Sequence, residues 1–149
     1  MLLKEICTPD VACCEASATV LAAARLMRQK HVGDLVVVDD PEGDQTPLGI
    51  VTDRDIVLEV LGRERDPATT AVHEIMRGPA VVARETEDSA AALERMKLHG
   101  VRRLPVLGLD RKLIGIVSLD DLVRQLASDA AQIAEVVARE QSREQRGRR

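Results

Sequence analysis

The chain of 149 residues contains no phenylalanine, tyrosine or tryptophan. Its hydrophobic core must therefore be built from Val, Leu, Ile, Ala and Met, and a bound nucleobase would rest on aliphatic groups without aromatic stacking. A folding unit of about 60 residues is only marginally stable alone. We therefore expect either one core or two small cores that pack against each other.

Cysteine and long apolar runs are also scarce. The three cysteines, Cys7, Cys13 and Cys14, are odd in number and crowded near the amino terminus, which argues against a disulfide framework. No stretch approaches the roughly 20 apolar residues that span a bilayer, and the first residues lack the apolar run of a signal peptide. We expect a cytoplasmic protein without a membrane span.

Positive charge is concentrated at the carboxyl end. The chain has a formal net charge of −4, yet residues 139–149 contain five Arg and two Glu, so the tail carries +3 and the remainder −7. Only this tail could attract nucleic acid or anionic lipid. A short Arg-rich end is typical of a solvated helix terminus, so nucleic acid is not an expected partner.

The chain contains two copies of one sequence repeat. The segment LGIVTDRDIV at 48–57 returns as IGIVSLDDLV at 114–123, 66 positions later, whereas Met27 and Met96 lie 69 positions apart. The first copy therefore has a loop that is three residues longer. We assign residues 1–66 to repeat 1 with a linker from about residue 62, residues 67–126 to repeat 2, and residues 127–149 to a helix and Arg-rich tail.

Each repeat reads as strand, helix, strand, strand, helix, an α+β arrangement. Short apolar runs predict strands over 11–14, 34–38 and 48–51 in repeat 1 and over 80–83, 103–107 and 113–117 in repeat 2. Ser17, Thr19 and Thr86 are candidate helix caps, and the last helices are predicted over 53–61 and 119–126. One apolar stripe at helical spacing continues past the second repeat and needs a partner surface: Leu122, Leu126, Ala130, Ile133 and Val137.

In both repeats an apolar strand ends in a hydroxyl residue with an acid three positions later: Thr52 with Asp55, and Ser118 with Asp121. This spacing is typical of a helix cap. The same geometry also offers an anion site at a helix amino terminus and a carboxylate that accepts hydrogen bonds from a ribose diol. The pattern alone leaves both interpretations open.

Cations that would offset phosphate charge lie beside the predicted strand ends. Arg54 falls inside the first motif, and Arg102 and Arg103 lie at the start of the middle strand of repeat 2. Lys30, His31 and His99 are close by in sequence. In repeat 1, Gly33 and Asp34 replace the two arginines, and because Asp34 would repel phosphate the two sites are expected to differ.

These features give the chain a specific resemblance. The paired segments GIVTDRD at 49–55 and GIVSLDD at 115–121, each after a Val-rich strand approached through HVGDLVVV at 31–38 or GVRRLPV at 100–106, resemble the pattern of tandem cystathionine β-synthase (CBS) domains. Members of this family are small βαββα repeats that pair about a pseudo-twofold axis. The resemblance implies the same fold here, with a helical extension at the carboxyl end.

The resemblance also implies a ligand. CBS pairs commonly bind AMP, ADP or ATP, and sometimes S-adenosylmethionine or NAD, in clefts between the repeats. By resemblance, Asp55 and Asp121 would hold ribose hydroxyls, Thr52 and Ser118 would contact ribose or phosphate, and Arg54 and Arg103 would meet phosphate. Backbone groups near Val11, Ala12, Ala80 and Val81 would meet the base.

No catalytic signature surrounds the cysteines or histidines, so we expect a non-enzymatic sensor that needs no cofactor, forms a homodimer and signals to an unidentified protein. One alternative is a ligand-free scaffold in which both motifs only cap helices. Another is a zinc site formed by Cys7, Cys13 or Cys14, and His73. Against it, Cys7 aligns with Met76 and Cys13 with Val82, as expected for small buried hydrophobic residues.

Overall fold

The computed structural model describes residues 1–148 and contains the two predicted βαββα repeats. The elements are α1 (Leu3–Ile6), β1 (Cys13–Glu15), α2 (Val20–Lys30), β2 (Asp34–Val38), β3 (Pro47–Thr52), α3 (Asp53–Ile56), β4 (Ala83–Arg84), α4 (Ser89–His99), β5 (Arg103–Leu107), β6 (Leu113–Ser118) and α5 (Leu119–Gly147). Each repeat holds one three-stranded sheet, ordered β1-β2-β3 or β4-β5-β6. In each sheet the first pair of strands is parallel and the second antiparallel.

The first strand of each repeat is shorter than predicted. β1 begins at Cys13 and β4 at Ala83, so Val11, Ala12, Ala80 and Val81 lie in the approach to a strand. The pairing cannot extend far backward in repeat 1, because Asp10 has a positive φ of 64°. In repeat 2 the approach contains Pro79, which has no backbone N–H to donate. Some backbone N–H and C=O groups of these four residues are therefore not paired within the sheets.

The last helices of the two repeats differ. In repeat 1, α3 passes into a π-helical turn at Val57–Leu61 and ends at Gly62. In repeat 2, α5 continues without a break for 29 residues, so the helix predicted over 119–126 and the predicted extension are one element. Thr19 caps α2 as predicted, through the Ala22 N–H, whereas Asp88 rather than Thr86 caps α4.

The repeats exchange the segments that precede their first strands. Leu3 of α1 is fully buried in the core cluster of repeat 2, and Val72, from a 3₁₀ turn at Val72–Glu74, is fully buried in the core cluster of repeat 1. Isolated β-bridges pair Thr8 with Ile116 and Arg77 with Ile50. Neither core is complete without residues from the other half of the chain, so the two halves form a mutually packed pair.

The middle strands carry the most deeply buried positions. Four of the five residues of β2 and three of the five of β5 are buried, which means that both faces of these strands are covered. Val and Leu dominate these positions, in agreement with a core that has no aromatic side chain. Among residues 1–148, no helix combines the length and the apolar character that a bilayer crossing requires.

The exchange of α1 predicts a specific loss of stability. Leu3→Ala should lower the free energy of unfolding by about 2 to 5 kcal/mol, because it leaves a cavity in the core of repeat 2. Chemical denaturation measures this. The matched control is Leu98→Ala, since Leu98 is 80% exposed and its truncation should stay within about 0.5 kcal/mol. Equal effects of the two substitutions would contradict the packing of α1 on repeat 2.

Candidate functional site

A cavity of about 570 Å³ lies between the repeats. Its lining includes Thr52 and Arg54 of repeat 1 with Ala80, Val81 and Arg103 of repeat 2, five of the residues singled out from the sequence. The other lining residues are Gly33, Ile50, Asp53, Arg77, Gly78, Pro79, His99, Gly100, Val101 and Arg102. Val11, Ala12, Ser118 and Asp121 do not line this cavity, and they belong to the symmetry-related side of the pair.

Asp55 is not a lining residue of this cavity, but it is held by Thr52, a lining residue at the end of β3. Its Oδ2 accepts the Thr52 N–H at 2.9 Å, and its own N–H donates to Thr52 Oγ1 at 3.1 Å. Strand β3 ends in extended geometry at Thr52, and α3 begins at the next residue. Asp55 is only 4% exposed. The predicted capping arrangement is therefore present, and it places one carboxylate oxygen away from the cap.

That second oxygen faces Arg77, a residue that the sequence reasoning did not identify. Arg77 Nε lies 3.3 Å from Asp55 Oδ1. The Asp55 side chain is 5% exposed and the Arg77 side chain 72% exposed. The bridge between Ile50 and Arg77 places the arginine here. Nothing local in the sequence signals the contact, because the two residues are 22 positions apart and belong to different repeats.

The motif of repeat 2 is built in the same way. Asp121 Oδ2 accepts hydrogen bonds from the Ser118 N–H and the Ser118 hydroxyl, both at 2.8 Å. The Asp121 N–H donates to Ser118 Oγ at 3.1 Å. Its Oδ1 meets Arg124 Nη1 at 3.2 Å, so here the outer partner of the carboxylate comes from the same helix. The two motifs therefore share a cap and differ in the cation that faces the free oxygen.

Asp34 and Arg103 occupy equivalent positions in the two repeats and pair with each other. Arg103 Nε lies 3.2 Å from Asp34 Oδ2. Contact between equivalent residues means that the pseudo-twofold axis passes between them. Burial raises the pKa of Asp34, Arg103 lowers it and Asp53 raises it, with a net upward shift. Part of the charge of Arg103 is thus offset by the residue that was expected to repel phosphate in repeat 1.

The other arginines at the cavity, Arg102 and Arg54, have a weak ion pair or none among residues 1–148. Arg102 Nη2 lies 3.9 Å from Asp120 Oδ1, with both side chains about two-thirds exposed. Such a pair is weak in water. Arg54 is exposed, and within residues 1–148 its side chain has no ion-pair partner. The rim therefore keeps positive charge that an anionic ligand could use.

The structure does not bring together the residues of the zinc alternative. Cys7 packs against Gly115 of β6, and Cys13 lies on β1. The backbone N–H of His73 donates a hydrogen bond to the carbonyl oxygen of Ala16. In the part of the chain that the structure describes, no three His, Cys, Asp or Glu side chains are grouped to hold a metal ion. Burial raises the pKa of Cys14 to about 11, which keeps that thiol protonated at neutral pH.

The pair of Asp34 and Arg103 predicts a measurable titration. Arg103→Gln should raise the Asp34 pKa further above its ordinary value, because the cation that lowers it is removed while burial remains. A group with a raised folded-state pKa contributes stability that is complete below its unfolded pKa and is lost as the pH rises through the folded-state pKa. The variant should therefore lose additional stability between acid and neutral pH.

Carboxyl-carbon NMR of Asp34 measures the pKa, and denaturation at several pH values measures the stability. Arg102→Gln is the matched control, since Arg102 lies near Asp120 and not near Asp34. An unchanged Asp34 pKa in Arg103→Gln would show that the ion pair does not form in solution.

Comparison with known proteins agrees with the fold. The family model for the CBS domain matches residues 3–62 and 72–128. The chain is 35% identical over 130 residues to the CBS domain-containing protein YhcV of Bacillus subtilis, covering 87% of this chain and 89% of that protein. Hypoxic response protein 1 of Mycobacterium tuberculosis is 33% identical over 127 residues, with 85% and 86% covered. The chain spans only 60% of the length of a Methanopyrus kandleri relative that is 31% identical over 120 residues, or 80% of this chain.

Solved structures show the same architecture. The structure of Hypoxic Response Protein I with two coordinated zinc ions has a TM-score of 0.72 at 31% identity and covers 83% of this chain and 98% of that chain. A CBS domain protein from Pyrobaculum aerophilum complexed with AMP has a TM-score of 0.72 at 21% identity and covers 86% and 99%, a likeness of fold alone. With both repeats matched by the family model and aligned along most of two curated relatives, the chain belongs to the CBS domain family as a tandem pair.

Proposed function

We propose that this protein is a non-enzymatic sensor that binds an adenine nucleotide of the AMP, ADP or ATP type between its two repeats. The observation that carries the proposal is the cavity that joins the Thr52 motif of repeat 1 to the arginines at the start of β5. Its volume of about 570 Å³ lies in the range of small-molecule sites. The AMP complex of a CBS domain protein with this fold supports the choice of ligand class.

The lining offers a distinct environment to each part of a nucleotide. Ile50, Val81 and Val101 supply aliphatic contact for a base, and the backbone of residues 78–81 supplies polar groups for its edge. Asp55 Oδ1 is the ribose acceptor, since Oδ2 is occupied by the Thr52 N–H. Arg54 is exposed and, among residues 1–148, has no ion-pair partner, so its charge is available to a phosphate. The lining thus combines apolar side chains with cationic ones.

Arg77 would compete with the ribose of a nucleotide for the Asp55 carboxylate. Its guanidinium now faces the Asp55 oxygen that a ribose hydroxyl would use. Because the Arg77 side chain is 72% exposed, its guanidinium can turn toward solvent at little cost to itself. The Asp55 carboxylate is only 5% exposed, so it needs the ribose hydroxyls in place of the guanidinium. In the proposed complex the ribose replaces Arg77 on Asp55, and the released guanidinium meets phosphate. Such an exchange favours phosphorylated nucleotides over the nucleoside.

The symmetry-related site would use Ser118 and Asp121 for the ribose and phosphate. The backbone of Val11 and Ala12 would contact the nucleobase. Asp120 stands there at the position equivalent to Arg54, because the motifs are 66 residues apart. The acidic Asp34 similarly replaces Arg103. We therefore propose that this second site binds anionic nucleotides more weakly than the first.

Binding would be transmitted by linkage. A ligand held by both repeats favours one relative orientation of the pair, and that preference changes the surface offered to a partner. We propose that the output passes to an unidentified protein and that the protein acts as a homodimer. No cofactor is required in this scheme, and the nucleotide is the signal.

One observation favours a second candidate function, a ligand-free scaffold. Both motif carboxylates already have full sets of partners: a cap on one oxygen, and Arg77 or Arg124 on the other. In a scaffold these contacts would be the whole role of the motifs. The two candidates make opposite predictions for nucleotide affinity.

Replacing Asp55 and Asp121 by Asn separates the candidates. Asn at these positions keeps an oxygen that can accept the Thr52 or Ser118 N–H. The ion pairs that it removes are with the exposed Arg77 and Arg124, so the protein should stay folded with a modest loss of stability. A charge-assisted hydrogen bond is worth about 1.5 to 3 kcal/mol, so the sensor should lose roughly ten- to hundredfold in nucleotide affinity. Calorimetric titration of metal-analysed protein with AMP, ADP, ATP, NAD and S-adenosylmethionine measures this. The control is Asp129→Asn on the exposed part of α5. Unchanged affinity in the double variant would exclude the ribose role, and no binding to the wild type would favour the scaffold.

Competition between Arg77 and the ribose predicts a change in the preference for AMP over adenosine. Arg77→Ala should weaken AMP binding while leaving adenosine binding unchanged or stronger, because the variant loses a phosphate contact and a competitor for Asp55 together. The ratio of AMP to adenosine affinity should fall roughly three- to tenfold, a moderate change because Arg77 is exposed. Arg63→Ala, in the linker, is the control. A parallel loss for both ligands would mean that Arg77 acts only on the structure of the site.

A further inference from the structure

Among residues 1–148, no other element covers α5 from Leu126 onward. Leu122 is 8% exposed and belongs to the core cluster of repeat 2, but every residue from 126 to 148 is exposed. At 1.5 Å per residue this part of the helix extends roughly 30 Å from the repeat. A single helix in water is marginally stable unless an amphipathic face is packed.

This helix does carry such a face. The apolar positions Val123, Leu126, Ala130, Ile133 and Val137 alternate spacings of three and four residues, the narrow seam of a two-helix coiled coil. Leu126 is 70% exposed, Ile133 66% and Val137 47%. Polar and charged side chains occupy most of the remaining surface. A second helix with the same apolar spacing would cover this seam.

The small residues beside the seam favour close approach. Ala127 and Ala134 follow Leu126 and Ile133 in the same flanking position of successive heptads. Small side chains there allow two helix backbones to approach closely. A second copy of α5 offers the same apolar positions and the same small flanks, so the surface is complementary to itself.

Charge along α5 selects the direction of pairing. Its first part carries Asp120, Asp121 and Asp129 against Arg124 alone, whereas the part from residue 139 to 148 carries four Arg and two Glu. An antiparallel pair sets the acidic start of each helix beside the basic end of the other, twice by symmetry, and also opposes the two helix dipoles favourably. A parallel pair would set like charge against like charge.

The seam also selects a register. With Ala130 opposite Ile133 of the partner subunit, Leu126 lies opposite Val137 of the partner subunit, and every central layer is apolar. Glu140 then falls at the edge, beside Val123 of the partner subunit. In a parallel pair Glu140 would face its own copy inside the seam, which is costly for two carboxylates.

We propose that the exposed part of α5 forms an antiparallel two-helix coiled coil with the same helix of a second copy. This deepens the homodimer part of the proposed function and does not depend on nucleotide binding. The two CBS pairs would then sit at opposite ends of the coiled coil, each with its own ligand cavity.

Sedimentation velocity over a range of protein concentrations tests the pairing. The wild type should dimerise, and Ile133→Glu should weaken dimerisation by roughly a hundredfold or more, because it places a charge in an apolar seam. Gln132→Glu is the matched control: it adds the same charge at an exposed position outside the seam and should leave the dimer intact. A monomeric wild type, or a dimer that Ile133→Glu leaves unchanged, would overturn the proposal. The latter would point to the exposed Val57, Leu58 and Leu61 instead.

Disulfide trapping tests the direction. Leu126→Cys and Val137→Cys variants, mixed under reducing conditions and then oxidised, should form a covalent dimer only in the mixture, as judged against wild type with its native cysteines. Trapping of Leu126→Cys alone would indicate a parallel pair and overturn the proposal. Nucleotide titration of Ile133→Glu distinguishes this from the sensor proposal, since its affinity should be unchanged whether or not the coiled coil exists.

Discussion

The close approach between the exchanged segments and the last strand of each repeat is the constraint on which the structure depends. A Cβ atom on Gly49 would lie 2.5 Å from the Arg77 carbonyl oxygen, and one on Gly115 would lie 2.6 Å from Cys7 Sγ. Only glycine permits these contacts, because a real Cβ essentially never lies within 3.0 Å of another heavy atom. The two glycines are equivalent positions of the repeat, so the same approach is made on both sides. It closes both cores and joins the two halves of the chain.

The candidate site follows from that approach. The bridge that places Arg77 beside Ile50 also carries its side chain to Asp55 and brings the segment 78–81 to the cavity. At the equivalent place in the other repeat, Thr8 is bridged to Ile116, so a hydroxyl side chain replaces the guanidinium there. A nearly symmetric backbone therefore carries different chemistry on its two sides. Substitutions at a few equivalent positions set the difference, and the fold itself is unchanged.

The sequence predicted the repeated architecture, because the spacing of apolar residues and of the two motifs is local information. It also predicted the caps at Thr52 and Ser118, which span only three residues. It did not predict the exchange of α1 and the 3₁₀ turn, since nothing in a short segment such as LKEI indicates which core will bury Leu3. The partners of Arg77 and Asp34 were missed for the same reason: each contact joins different repeats. The early start predicted for β1 and β4 was wrong because apolar character alone does not show where backbone pairing begins.

The ion pair of Asp34 and Arg103 connects the cavity to the relative orientation of the repeats. It joins equivalent positions of the two repeats at 3.2 Å, so its length depends on how the repeats are placed relative to one another. Arg103 is 37% exposed and lines the cavity, whereas Asp34 is 17% exposed. A phosphate near Arg103 would compete with Asp34 for the guanidinium, and a carboxylate left without that partner would be poorly solvated. In the proposed complex, this pair of side chains would connect phosphate binding at the cavity to the contact between the central strands of the two repeats.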